Sequence, residues 1–187
     1  GRRRVGPPRT GEGSERHVRS YSPAPVDGKP RQLTITVKQV DGGLVSARLC
    51  DPAAVGTLVE LGEAYGEMTP DAAPGALVLL AAGSGITPFL AMLRAQAALG
   101  MPRDITLMYW ASHRDELCCS DELQSLTARF PNFRLQPVIT RDDSDPDHGE
   151  RLQAASLAGL THLLEATVYA CGPAGFVATG EALARAA

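Results

Sequence analysis

Three short stretches carry residue types that could hold a ligand or its phosphate. The first is Gly83-Ser84-Gly85-Ile86-Thr87-Pro88, which follows the unbroken apolar run 77–82 and precedes Phe89, Leu90, Met92, Leu93 and Ala97 at helical spacing. Glycines at such a join let a ligand approach the backbone, and the free N–H groups of a helix start favour phosphate. An ordinary strand-to-helix turn reads the same way, so Gly-x-Gly alone does not separate the two. The second stretch is Cys171-Gly172-Pro173 and the third surrounds Thr140-Arg141; each follows a strand-like segment.

The elements that must position them follow from periodicity. From residue 76 the pattern predicts strands at 76–82, 104–111, 133–140 and 167–171, alternating with helices at 87–99, about 119–130, about 152–165 and 175–186. Alternation of this kind predicts a parallel sheet wrapped by helices, with ligands at the carboxyl ends of its strands. All three stretches fall at such ends. The Asp- and Ser-rich run 142–147 reads as a surface loop without chemistry.

Residues 17–72 read differently, as antiparallel β with one short helix. An alternating segment at 17–22 is ended by Pro23 and Pro25, and 33–40 is a second strand closed by Asp41-Gly42-Gly43. A short helix at 44–51, a strand at 55–61 and a loop at 62–66 containing Tyr65 complete the half, and Pro, Asp and Gly at 69–74 mark a boundary. Residues 1–16, rich in Gly, Pro and Arg, read as a disordered basic tail.

Charge and composition narrow the class. Residues 1–31 hold eight of the eighteen Lys and Arg against three of the twenty-one acidic residues, so the remainder is acidic despite a net charge of only −3. Arg2-Arg3-Arg4 could suggest a nucleic-acid arm, but no second basic surface or run of aromatics supports it. No apolar run is long enough to span a bilayer, and no secretory signal is visible, which predicts a cytoplasmic protein. Cys50, Cys118, Cys119 and Cys171 lack metal-ligand spacing, and His17, His113, His148 and His162 are scattered, so no metal site is expected.

Taken in order, Arg19-Ser20-Tyr21-Ser22, Gly43-Leu44-Val45-Ser46, Gly83-Ser84-Gly85-Ile86-Thr87-Pro88 and Cys171-Gly172-Pro173 resemble the motifs of the ferredoxin–NADP⁺ reductase superfamily, over residues 17–187. The resemblance implies a partial, incomplete antiparallel flavin-binding β-barrel (17–72) followed by an α/β parallel-sheet NAD(P)-binding domain (73–187). It also implies roles. Arg19 would pair with flavin phosphate, Tyr21 would lie against the isoalloxazine, Ser22 would hydrogen-bond near its N5, and Gly43 and Ser46 would cradle the phosphate or pyrophosphate. Gly83 and Gly85 would carry the nicotinamide-nucleotide pyrophosphate, with Thr87 and Pro88 at the helix start and Thr87 close to the nicotinamide. Cys171 would sit beside the reacting ring, and Gly172 and Pro173 would give it room. Arg141 and Arg114 would meet an adenosine 2′-phosphate, which favours NADPH over NADH.

The implied activity is that of an NAD(P)H-dependent flavin oxidoreductase. It would use FAD, or FMN in its place, pass hydride from NAD(P)H to flavin with the reacting atoms about 3–3.5 Å apart, and then deliver single electrons to an iron–sulfur protein or an oxygenase. Members of the superfamily carry further barrel strands before the Arg-x-Tyr-Ser motif and a final strand after the Cys-Gly motif. The expectation is therefore a chain truncated at both ends, and the alternative function is a non-catalytic nucleotide-binding fragment whose incomplete barrel holds no flavin.

Overall fold

The computed structural model describes residues 2–6, 17–26, 29–66, 68, 75–160 and 163–186. The chain divides into two compact units, Gly1–Thr69 and Pro70–Ala187.

The first unit contains strands β1 (Arg2–Gly6), β2 (Arg19–Tyr21), β3 (Pro23–Val26) and β4 (Lys29–Ile35), helix α1 (Leu44–Cys50) and strand β5 (Glu60–Tyr65). Its three-stranded sheet runs β2-β1-β5 and a separate pair joins β3 to β4, all antiparallel. This is the antiparallel, barrel-type half in partial form.

Three expectations change here. Arg2–Gly6, expected to be disordered, is the central strand of its sheet, with Val5 only 2% exposed. Its pairing partners are residues 19–21 and 60–65, and Arg3 donates from Nη1 to the Gly62 carbonyl at 3.1 Å. Local propensity cannot report a strand made by such distant partners. The rest of the expected tail, residues 1 and 7–16, lies outside the described residues.

The strand expected at 33–40 is instead drawn back to Lys29–Ile35 by its register with β3, in which Pro23 faces Ile35 and Pro25 faces Leu33. The strand expected at 55–61 moves to Glu60–Tyr65, because β1 pairs there and draws most of the expected loop 62–66 into the strand. A 3-10 turn, Pro52–Ala54, precedes it, and Val55 is left 90% exposed.

The second unit alternates β6 (Leu77–Ala82), α2 (Thr87–Ala98), β7 (Ile105–Ala111), α3 (Ser120–Arg129), β8 (Phe133–Ile139), α4 (Ala154–Leu157), β9 (Thr167–Cys171) and α5 (Ala174–Ala186). Its sheet is wholly parallel in the order β8-β7-β6-β9. Residues 77–81 of β6 are buried, which explains why that run does not alternate. The chain order reverses between β6 and β9, so the crevice for a ligand lies outside the carboxyl ends of those two strands.

The long helix expected at 152–165 is the short α4 plus a 3-10 turn at Leu163–Glu165. Gln153 and Ser156 form a reciprocal capping box at its start, while Leu152 and Leu157 bury against Val78, Leu80, Met108 and Trp110. The apolar residues read as one helix are thus two anchors of an irregular connection. Residues 161–162 lie outside the described set.

Candidate functional site

The glycine turn is built at the end of β6. Gly83–Ile86 forms a 3-10 turn that leads directly into α2, and Gly83 takes a φ of +52°, a left-handed conformation that a glycine adopts without strain. A Cβ added to Gly83 would meet nothing within 4 Å, so the backbone there is open to an approaching group. Thr87 and Pro88 form the first turn of α2, where the missing proline N–H would have no intrahelical partner. The Thr87 hydroxyl donates to the Ser84 carbonyl at 3.1 Å, which steadies the turn from within.

Gly85 is the opposite case. A Cβ on it would overlap the Cys171 carbonyl oxygen and lie 2.5 Å from the carbonyl carbon and 2.8 Å from the Gly172 nitrogen. Gly172 is equally constrained: a Cβ there would lie 2.9 Å from the Ala82 Cβ and 3.1 Å from the Phe176 ring. The two glycine motifs, distant in sequence, are therefore pressed together at the ends of the neighbouring strands β6 and β9, where Ala81 pairs with Cys171. Cys171 is a half-buried thiol, and Pro173 is exposed just before α5.

From sequence, Tyr109 reads as one more apolar residue of β7. Its ring is 1% exposed, and its hydroxyl donates to the Gly83 carbonyl and accepts the Cys118 N–H, both at 3.1 Å. Burial drives the phenol well above its ordinary pKa, so it stays protonated and can keep donating. The hydroxyl thereby joins the glycine turn to the loop after β7.

Arg114 and Arg141 leave the carboxyl edge after β7 and β8. The two loops are stitched together: Thr140 N–H donates to the Ala111 carbonyl and Arg141 N–H to the Ser112 carbonyl, each at 3.0 Å. Arg141 is exposed. Arg114 is instead engaged by Asp145, with Nε 2.7 Å from Oδ2 and Nη2 2.5 Å from Oδ1, and Nη2 also reaches Asp147. A guanidinium expected to await a phosphate is thus already forked onto carboxylate, and the run 142–147 has the role of holding it.

In the first unit, Arg19 and Tyr21 share a face of β2, since side chains alternate along a strand. Arg19 is exposed and donates to its neighbour's carbonyl, Val18, at 2.9 Å. Tyr21 is half-buried; burial raises its phenol, Cys50 adds to the rise and Arg19 opposes it. Ser20 faces the other way and bonds Tyr65. Ser22, half-buried, links β2 to β3.

Gly43 caps α1 and Ser46 lies in its first turn. The Ser46 hydroxyl is buried, accepting the Val40 N–H at 3.2 Å and donating to the Gly43 carbonyl at 3.4 Å. It therefore shapes this turn from inside. Gly43 and Ser46 are joined by a hydrogen bond, while Arg19 and Tyr21 share a strand face.

A parallel sheet with an open glycine turn at its switch point defines a dinucleotide-binding protein, and the sequence matches the oxidoreductase NAD-binding domain family over residues 79–181. The chain belongs to that family, within the ferredoxin–NADP⁺ reductase superfamily. It is 33% identical over 180 residues to a flavohemoprotein of Deinococcus radiodurans, covering 91% of this chain and 44% of that protein. To the toluate 1,2-dioxygenase electron transfer component of Pseudomonas putida it is 32% identical over 158 residues, covering 82% of this chain and 45% of the relative. Among solved structures, the flavohem-like FAD/NAD binding domain of nitric oxide dioxygenase from Vibrio cholerae superposes with a TM-score of 0.83 at 27% identity, covering 99% of this chain and 78% of that one. The chain spans less than half the length of these two curated relatives. Among the described residues no helix is long and apolar enough to cross a membrane.

Proposed function

We propose that this chain is the NAD(P)H- and flavin-binding portion of an electron-transfer reductase. The observation that carries the reading is the packing of Gly85 on the Cys171–Gly172 peptide at the switch point, beside the open backbone of Gly83. That arrangement leaves a bare turn at the start of α2 for a pyrophosphate and sets a thiol on the adjoining strand end.

The residues present also fit a flavin. Arg19 and Tyr21 on one strand face supply a planar cation and an aromatic face, and with the Ser46 hydroxyl turned inward, phosphate contact at the Gly43 turn falls to backbone N–H groups. When bound, flavin supplies the acceptor for a hydride from nicotinamide and the means of releasing electrons one at a time. The chain's own residues do the rest. Gly83 and Gly85 seat the pyrophosphate, Tyr109 holds the turn in place, and Cys171 borders the nicotinamide. FAD is the favoured flavin. An iron–sulfur protein or an oxygenase is the proposed acceptor; the name of the Pseudomonas putida relative, a dioxygenase electron transfer component, supports the oxygenase.

A second reading, a nucleotide-binding fragment that holds no flavin, is favoured by one observation: Leu44, Val55 and Leu58 of the first unit are 62%, 90% and 77% exposed. A visible spectrum decides between them. The chain is mixed with excess FAD, desalted, and treated anaerobically with NADH or NADPH. A retained flavin band that bleaches supports the reductase; no retained flavin, with dinucleotide still bound, supports the fragment.

A further inference from the structure

Arg114 and Arg141 would both be expected to serve an adenosine 2′-phosphate, yet the structure leaves them in unlike surroundings. Arg114 lies three residues beyond β7 and Arg141 two beyond β8. With the pyrophosphate over the turn after β6, the strands on its two sides divide the remainder of a dinucleotide between them: β9 with Cys171 on one side, β7 and β8 on the other. The adenosine half therefore falls toward the loops that carry the two arginines.

Those loops are dominated by carboxylate. Residues 141–147 hold one arginine and four aspartates. Asp145 presents both oxygens to the Arg114 fork, its side chain is 5% exposed, and its Oδ1 also accepts the Asp147 N–H at 2.9 Å. Asp147 adds a second carboxylate on Nη2, and its backbone is held by the Ile139 N–H, which donates to its carbonyl at 2.9 Å. The Asp145 carboxylate is buried and also accepts a backbone N–H, whereas the Asp147 carboxylate is half-exposed. Arg114 holds the Asp145 carboxyl below its ordinary range, so the pair is fully ionised at neutral pH.

A bidentate guanidinium–carboxylate fork uses the same donors that a phosphate would need. Nε and Nη2 are taken by Asp145 and Asp147, so a 2′-phosphate can form a bidentate fork with Arg114 only by displacing a carboxylate and entering a loop with four aspartates, whereas the 2′-hydroxyl of NADH brings no charge. We infer that Asp145 and Asp147 are specificity-determining residues, which by occupying Arg114 make this chain select NADH over NADPH. The inference rests on the reading of the glycine turn as a pyrophosphate site. It reverses the preference drawn from counting arginines in the sequence.

The test is calorimetric titration of the full chain with NADH, NADPH, 5′-ADP and 2′,5′-ADP at low ionic strength, where exposed charges act at longest range. The natural chain is expected to bind NADH at least tenfold more tightly than NADPH. Asp145→Asn with Asp147→Asn removes both negative charges from Arg114 without changing side-chain size; NADPH and 2′,5′-ADP should then tighten tenfold or more, with NADH and 5′-ADP shifting less than threefold. If the double variant does not fold, Asp147→Asn alone should narrow the preference about threefold. Equal affinities in the natural chain, a preference for NADPH, or variants that shift both dinucleotides alike would overturn the assignment. A folded natural chain that binds none of the four ligands would instead overturn the pyrophosphate reading beneath it.

Discussion

Gly85 lies so close to Cys171 that a methyl group on the glycine would overlap the cysteine carbonyl. The contact is backbone against backbone, so no flexible side chain can give way. Two motifs 86 residues apart are thereby held as one surface at the switch point. Gly85→Ala should lower stability by about 2 kcal/mol, the middle of the range for overpacking, and reduce the melting temperature by about 4–8 °C. NAD(P)H affinity should fall at least tenfold in the surviving folded protein. Calorimetric melting and titration check both, and an unshifted melting temperature would contradict the contact. Gly83→Ala is different in kind, since it meets open space and carries only the left-handed backbone strain of about 1 kcal/mol.

Tyr109→Phe removes the one hydroxyl that serves both Gly83 and Cys118. Leaving those half-buried groups without this partner costs about 1 kcal/mol at neutral pH. The cost should shrink in alkali. Burial raises the folded phenol above the unfolded value of about 10, so its stabilisation is complete below that pH and is lost as pH rises through and above it. Urea unfolding of both proteins between pH 7 and 11 should show the natural chain losing its advantage above pH of about 10. A constant gap across that window would show that Tyr109 ionises equally in both states.

Cys171→Ala tests the strand end proposed to border the nicotinamide. The substitution leaves the β9 ladder and the Gly85 contact intact, because both are made by backbone. Rapid-mixing measurement of flavin reduction should show a rate lowered tenfold or more, with dinucleotide affinity changed less than threefold. Loss of affinity at an unchanged rate would make Cys171 a binding residue only.

Arg19→Ala tests the flavin half. Its guanidinium is the exposed cation on the same strand face as Tyr21. FAD retained through desalting should fall tenfold or more, and Arg19→Lys should recover only part of it, because an ammonium cannot form the planar fork. Full recovery with lysine would reduce the role of Arg19 to charge alone.

Sequence by itself determined the βα alternation after residue 76, the position of the glycine turn and the start of α2, because each depends on neighbours within a few residues. It also carried the order of motifs from Arg19 to Pro173 that marks the superfamily. Only the tertiary structure decided what distant partners do. Arg2–Gly6 becomes a central strand because residues 19–21 and 60–65 pair with it. The segment 152–165 breaks up because Leu152 and Leu157 are anchored separately in the core. Tyr109 looks like core until its hydroxyl finds Gly83. Which carboxylates take the Arg114 guanidinium, 31 and 33 positions away, is likewise invisible in the sequence. A side chain's type is local, but its partner is chosen by the strand order that brings two loops to one edge of the sheet.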